Sequence, residues 1–389
     1  MNMAELDICV AGGGIGGLAV ARALALRGAR VTLLEQSPAI TEVGAGLQIS
    51  PNGYAVLRAI GLGDAVRAAG MRAQAVALHG YRRGQALRLD LGLLDSRDYY
   101  FLHRADLIDV LHEGARAAGV TIRLGARVAE AAAGPRLILD DGEVLTPDLA
   151  IGADGLHSVL RPVLNGTAAP FFTGQVAWRA VVPNLVDRGA EARVHMGPHR
   201  HVVSYPLRKG MLLNLVAVEE RAAWIEESWS HRGDPDRLRA AFADFGPEVK
   251  TMLAGVEEAG LWGLFRHPVA PVWGRDGLAL LGDAAHPTLP FMAQGACMAL
   301  EDAWVLSEAL TVAPDLSAAL TSYQARRAGR VRKVVDAASR NAWKYHLSAP
   351  PLRWAAQQAL RLGGAFAPER MVRQFDWIYA EDVTGGASL

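Results

Sequence analysis

Two kinds of hydrophobic pattern divide the chain. Short unbroken apolar runs, fit for buried parallel strands, occur at Asp7 to Val10, Val31 to Leu34, Val120 to Leu124, the run ending at Gly152, and Leu278 to Leu281. Helix-like stretches lie between them: Ile15 to Arg27 before Gly28, Asn52 to Ile60 before Gly61, one from the segment around Asp106 to Ala117, and one from Gly295 to about Leu310. The middle of the chain alternates apolar and polar positions instead. Residues 75 to 91 read as a hairpin around Arg82-Arg83-Gly84. Arg136 to Leu139 and Gly142 to Leu145 read as another around Asp140-Asp141-Gly142. Gln175 to Val182, Ala192 to Met196, His201 to Pro206, Met211 to Val218 and Leu261 to Phe265 read as strands of one sheet-rich layer. Residues 221 to 257, with Trp224 and Trp229, read as mostly helical, as does the tail from 316 to 360. The pattern predicts an α/β fold with an inserted sheet and a helical C-terminal segment.

The first strand runs into Gly12, Gly14 and Gly17, spaced Gly-x-Gly-x-x-Gly and followed by a helix, a second strand and Glu35. Gly12 permits the tight turn, Gly14 lets backbone approach a pyrophosphate, and Gly17 lets the helix pack close. The helix N-terminus favours an anion, and Glu35 stands where ribose hydroxyls bind. An acid there repels a 2′-phosphate, so the dinucleotide is NAD-like or FAD.

Further segments converge on the same chemistry. The small residues of Val43-Gly-Ala-Gly-Leu-Gln-Ile-Ser-Pro-Asn52 suit backbone lying against something flat, or an ordinary loop. Arg104 opens a helix, where the dipole disfavours a cation, so it faces an anion or is simply solvated. Asp154 follows the strand ending at Gly152, between small residues. Asp283 ends the strand Leu278 to Leu281, where open α/β sheets bind ligands. The loop beyond it leads to Gly295-Ala296, a second helix N-terminus.

Zero net charge over 389 residues argues against a general nucleic-acid binder. Cys9 and Cys297, the two cysteines, form no Cys-x-x-Cys, which fits a reducing cytoplasm. The apolar N-terminus carries Glu5 and Asp7, unlike a signal peptide, and no apolar stretch is long enough to span a bilayer. Arg326, Arg327, Arg330, Arg332 and Lys333 read as a solvated helix face rather than a polyanion site. His195, His199 and His201 lack a nearby carboxylate or cysteine to complete a metal set, and read as surface or loop histidines. No Gly-x-Ser-x-Gly supports a serine hydrolase.

The Gly12–Gly17 fingerprint, Asp154-Gly155 and Gly282-Asp283, in that order, resemble the single-component FAD-dependent aromatic hydroxylases, the para-hydroxybenzoate-hydroxylase-like flavoprotein monooxygenases. The resemblance covers nearly the whole chain. Val43 to Asn52, His103-Arg-Ala-Asp-Leu, Val176-Ala-Trp-Arg and Met292 to Asp302 look most like the salicylate, 3-hydroxybenzoate and 6-hydroxynicotinate hydroxylase branch. The resemblance implies a Rossmann-like FAD-binding domain with an inserted β-sheet substrate domain and a C-terminal helical segment. The FAD-binding parts would be 1–74, 103–170 and 267–315. The substrate-domain parts would be 75–102 and 171–266, and the helical segment 316–389.

It also implies roles. Gly12, Gly14, Ile15 and Gly17 would hold the FAD pyrophosphate, Glu35 with Gln36 the adenosine ribose, and Val128 the adenine. Gly46 and Leu47 would lie near the flavin. Arg104 and Asp283 would contact its phosphate and ribityl portion, and Asp154 both FAD and NAD(P)H. Gly295 and Ala296 would offer N–H groups to the pyrimidine edge. NAD(P)H would reduce the flavin, and oxygen added at C4a as a hydroperoxide would attack an electron-rich ring, ideally a phenolate. No metal, nucleic acid or membrane is implied, and a monomer or homodimer is expected. Relatives often carry histidines where this chain has Gln48, Phe291 and a residue at or near Ser204, so no histidine base is assumed. Tyr205 and Gln48 become candidates to polarise the substrate hydroxyl, with Pro290 shaping the wall over the flavin and Ser204 and Phe291 lining the pocket. Tyr205 reads equally well as core. Arg179 and Arg208 are cations that the sequence does not place. A flavin dehydrogenase without oxygen insertion and a non-catalytic flavin-binding protein remain as alternatives.

Overall fold

The computed structural model describes residues 1–40, 45–222 and 232–389. Val43 and Gly44 of the glycine loop, and Trp224 and Trp229 of the expected helical stretch, lie outside the described residues. From 232 to 257 that stretch holds two short helices, Pro235–Ala241 and Pro247–Ala254, after a short strand at Arg232–Gly233.

Among the described residues a six-stranded sheet runs Gly274–Arg275, Leu278–Leu280, Leu149–Gly152, Asp7–Ala11, Arg30–Glu35, Thr121–Leu124. All neighbours are parallel except the first pair. Its central strands are mostly apolar because helices cover them: Ile8, Val10, Leu33, Leu149, Ile151 and Leu280 are buried. The Ala- and Leu-rich helix Ile15–Leu26 follows the first strand. It ends as Gly28 turns at φ +96° and Ala29 N–H bonds the Leu24 carbonyl.

The second layer is an eight-stranded sheet. Its central strands are Ala259–Arg266, Phe171–Pro183, Leu212–Glu220, Arg200–Leu207 and Glu191–Gly197, and the hairpin Ala75–Gly80 with Gln85–Asp90 closes one edge. One face buries Trp178, Val202, Leu213 and Leu215 against Leu238, Phe242, Val249 and Met252 of the two short helices. The other face meets the dinucleotide-type sheet: Ala177, Val218 and Leu264 pack on Leu289 and Phe291.

The helix Leu316–Tyr345 braces both layers; its 30 residues extend about 45 Å. The arginine row on it corrects the expectation of a solvated face. Arg327 is buried, 2.6 Å from Glu301 and 2.7 Å from Asp302, and Arg330 lies 2.9 Å from Glu301. Arg332 and Lys333 remain exposed, with Lys333 over the Trp377 ring. The histidine reading also changes. His199 is exposed, but His195 and His201 are buried.

Candidate active site

Gly12, Asp154 and Asp283 stand just past the carboxyl ends of three adjacent parallel strands, Asp7–Ala11, Leu149–Gly152 and Leu278–Leu280. Motifs scattered across the sequence therefore share one sheet edge, where such sheets hold ligands. Gly12 adopts φ +105° and packs on Ala153, and a Cβ at Gly17 would collide with the Gly12 carbonyl oxygen. At Gly14 a Cβ would meet no protein atom within 4 Å, so the space there is open. Gly14 is the uncapped N-cap of its helix, with Ile15 at the first turn. The Glu35 carboxylate accepts the Gly13 N–H at 2.7 Å and the Ser37 N–H at 2.8 Å, with Gln36 exposed beside it. Ala126 N–H bonds the Glu35 carbonyl at 2.9 Å, which brings Val128 to the same strand end.

Asp154 Oδ2 accepts the Val159 N–H at 2.7 Å, while Oδ1 is buried with no partner. Burial raises this carboxyl above the ordinary range. Asp283 has exposed surface, yet protein rings it closely enough that burial raises its carboxyl too, against the pull of His286, Arg104 and His267. Both properties together describe a group lining an internal crevice. Arg104 opens the helix Arg104–Ala117, and its N–H bonds the Ala45 carbonyl at 2.9 Å. The helix Gly295–Val312 starts without a side-chain cap, because Gln294 spends its amide on Ser50 at 2.8 Å and Asn52 at 3.1 Å. The first N–H groups, at Gly295 and Ala296, stay available to an anion. Thr288 Oγ1, in the loop leading there, is another buried polar atom without a partner.

The facing wall is the eight-stranded sheet. Tyr205 stacks on Phe101 at 5.3 Å, and a side chain at Gly46 would run into Tyr205 and Asn214. What the glycine makes room for among the protein's own atoms is thus this sheet. Gly46 N–H bonds Asn214 Oδ1 at 2.7 Å, leaving Asn214 Nδ2 a buried donor without a partner. Leu47, the next residue, packs on the main core. Gln48 pairs with Phe101 across the strands and accepts the Tyr99 hydroxyl at 2.7 Å. Arg179 stacks over Trp262 at 5.0 Å, its Nε without a hydrogen-bond partner. Burial lowers the Arg179 pKa, Tyr205 opposes that shift and Arg104 adds to it, so both residues are close enough to be felt. Arg208 instead pairs with Asp106 at 2.9 Å on the surface.

Strand parity corrects one pocket residue. Ser204 is the neighbour of Tyr205 and points to the opposite face, where its hydroxyl accepts from Arg188 at 2.7 Å. The histidine on the Tyr205 face is His201, four positions earlier. Its ring lies 5.7 Å from Phe291, in the turn Pro290–Met292. The sequence signal for His201 was its even spacing from Tyr205.

The chemistry of these residues fits a large dinucleotide. Two uncapped helix N-termini and the unpaired Asp154 and Thr288 atoms serve one wall, and the Asn214 and Arg179 donors serve the other. A family model described as the FAD binding domain matches residues 5–338. A 3-amino-4-hydroxybenzoate 2-monooxygenase of Streptomyces cremeus is 36% identical over 358 residues, covering 89% of this chain and 89% of its own. A 3-hydroxybenzoate 6-hydroxylase of Polaromonas naphthalenivorans (strain CJ2) is 34% identical over 410 residues, covering 98% of each. The crystal structure of Klebsiella pneumoniae HpxO complexed with FAD and uric acid matches with a TM-score of 0.83 at 28% identity, covering 96% of each chain. With its glycine turn, its two acids on one sheet edge and relatives along its whole length, the chain belongs to the FAD binding domain family, as a flavin-dependent aromatic-ring monooxygenase with FAD as cofactor.

Proposed function

We propose that the enzyme hydroxylates an aromatic acid bearing a ring hydroxyl. The observation that carries this reading is one sheet face that holds Arg179, Tyr205 and His201 together, beside Trp262, Phe101 and Phe291. Arg179 is a cation with no carboxylate partner among the described residues, and it suits a substrate carboxylate. Burial, with His346 beside it, pushes His201 well below the usual histidine range, so the ring is neutral and takes a proton on one nitrogen only as it gives one up from the other. The relatives named for 3-amino-4-hydroxybenzoate and 3-hydroxybenzoate act on molecules with both groups.

FAD reduced by NAD(P)H supplies the activated oxygen. Gly12, Gly14, Ile15 and Gly17 hold its pyrophosphate, Glu35 and Gln36 the ribose, and Val128 the adenine. Arg104, Asp154 and Asp283 bind the middle, and Gly46, Leu47, Gly295 and Ala296 border the flavin. Arg179 anchors the substrate carboxylate, and His201 Nε2 takes the proton of the ring hydroxyl, which makes the ring electron-rich. Burial raises the Tyr205 phenol, so it stays a donor and orients the substrate oxygen. Gln48, its carbonyl taken by Tyr99, offers its NH2. Pro290, Phe291, Leu289 and Met292 form an apolar wall that keeps water out.

The experiment is oxidation of NADH and NADPH by the purified yellow protein with hydroxybenzoates, aminohydroxybenzoates and hydroxynicotinates. Oxygen uptake and peroxide are followed, and products are analysed under labelled oxygen. Label in the product with little peroxide supports the reading. Oxidation without label in any product leaves a flavin dehydrogenase, and a protein that takes up no FAD overturns both.

A further inference from the structure

His201 does not stand alone. Its Nδ1 lies 2.7 Å from His346 Nε2, and His346 Nδ1 lies 2.9 Å from Glu220 Oε1. The other Glu220 oxygen lies 2.6 Å from His199 Nδ1. The row starts at a ring that is 1% exposed and ends at side chains that are 40% and 59% exposed. Four groups of one hydrogen-bonded file thus connect the wall at Phe291 with solvent.

The proton positions follow from the far end. Glu220 as a carboxylate only accepts, so His346 carries its hydrogen on Nδ1. His346 Nε2 is then an acceptor, and His201 carries its hydrogen on Nδ1. That leaves a lone pair on His201 Nε2, for which the described residues provide no partner. Gln175 supports the assignment. Its amide nitrogen is placed 3.3 Å from His346 Nδ1 while its oxygen is a buried acceptor without a partner, so turning the amide over brings that oxygen to the Nδ1 hydrogen. The backbone holds the file too: His199 N–H bonds the His346 carbonyl at 3.2 Å, and Glu220 N–H bonds the His199 carbonyl at 3.0 Å. The titratable groups facing the two imidazoles are Tyr345, beside His201, and Glu220 and His199, beside His346.

We propose that His346 and Glu220 form a proton relay between His201 and solvent, as positioning residues for the base. The inference rests on the reading of His201 as that base. The substrate O–H bond breaks and its proton joins His201 Nε2, while the oxygen keeps the electron pair. His201 passes its Nδ1 proton to His346 Nε2, and His346 passes its own Nδ1 proton to Glu220, which is part-exposed and hands it to water. This leaves each ring neutral with its hydrogen on Nε2. After ring hydroxylation the path runs backward, returns a proton to the product oxygen and restores both tautomers.

The tautomers are tested first in the FAD-loaded protein without substrate, by nitrogen NMR of histidine labelled with 15N. His201 and His346 both protonated on Nδ1 are expected. Either ring protonated on Nε2 overturns the relay whatever the substrate is. Proton release on binding 3-hydroxybenzoate or 3-amino-4-hydroxybenzoate is then followed with an indicator dye in weak buffer. His346→Gln and Glu220→Gln are expected to slow release about tenfold, with FAD content and substrate Kd within twofold of wild type, and Glu220→Asp to recover most of the rate. Release as fast as wild type in both amide variants overturns the relay, even if His201→Asn abolishes release and so upholds His201 as the base. Unaltered release in His201→Asn overturns base and relay together.

Discussion

The carboxylate of Asp302 accepts the N–H of Gly282 at 3.0 Å, so the turn that carries Asp283 hangs on an acid from the following helix. The same carboxylate meets His286 at 2.5 Å and Arg327 at 2.7 Å. Removing Arg327 leaves Glu301 and Asp302 buried without their shared cation. Arg327→Met is expected to destabilise the protein by about 3–5 kcal/mol, measured by urea unfolding, whereas Arg332→Met on the exposed side changes little.

Asp302 also sets an acid limit. Burial opposes its ionisation, but His286 and Arg327 outweigh that and bring the carboxyl down from the usual 3.8 to about 2. Its folded value lies below the unfolded one, so its stabilisation is complete above pH about 4 and fades as pH falls toward 2. Asp302→Asn should lose stability at neutral pH and show a flatter decline between pH 4 and 2. An equally steep decline would contradict the assignment.

The glycines of the first turn separate folding from cofactor binding. Gly14→Ala adds a methyl where no protein atom stands within 4 Å. Its unfolding temperature without FAD should match wild type, while FAD affinity falls by about tenfold or more. Gly17→Ala should harm both, because its Cβ meets the Gly12 carbonyl.

Ser204 and Tyr205 offer a test of strand parity. Ser204→Ala removes the acceptor for Arg188 and should cost about 1–2 kcal/mol of stability, with kcat/KM unchanged. Tyr205→Phe should do the reverse, lowering turnover with little loss of stability. A turnover loss for Ser204→Ala would put that residue in the pocket after all.

Arg179→Met tests the carboxylate anchor. Losing a charged hydrogen bond of about 1.5–3 kcal/mol predicts a KM for hydroxybenzoates raised about 10- to 100-fold. A phenol without a carboxylate should be handled equally by both proteins, measured as NADH oxidation.

What could be read from the sequence was local. Gly12 to Glu35 is a contiguous strand, turn, helix and strand, and each part carries its own signature. Asp154 and Asp283 were legible because each ends an apolar run in a small-residue turn. Residues whose meaning depends on distant partners were not. Arg327 looks like any cation on an amphipathic helix until Glu301 and Asp302 arrive from another helix. His201 looked like a loop histidine because its partners, Phe291 and His346, are 90 and 145 positions away. Ser204 was placed by resemblance to a position at or near which relatives carry a histidine, and a shift of one residue along a strand changes the face.

The two faces of the strand Arg200–Leu207 serve different masters. His201 and Tyr205 face Phe291 and Phe101, the side proposed for the chemistry, and Val202 and Ser204 face two supporting helices. Selection for a new substrate would therefore change this strand at every second residue and leave the intervening ones to drift with their helices. Homologues of divergent specificity should carry that two-residue rhythm of variation, a record of substrate history written beside a record of packing history on one short stretch of chain.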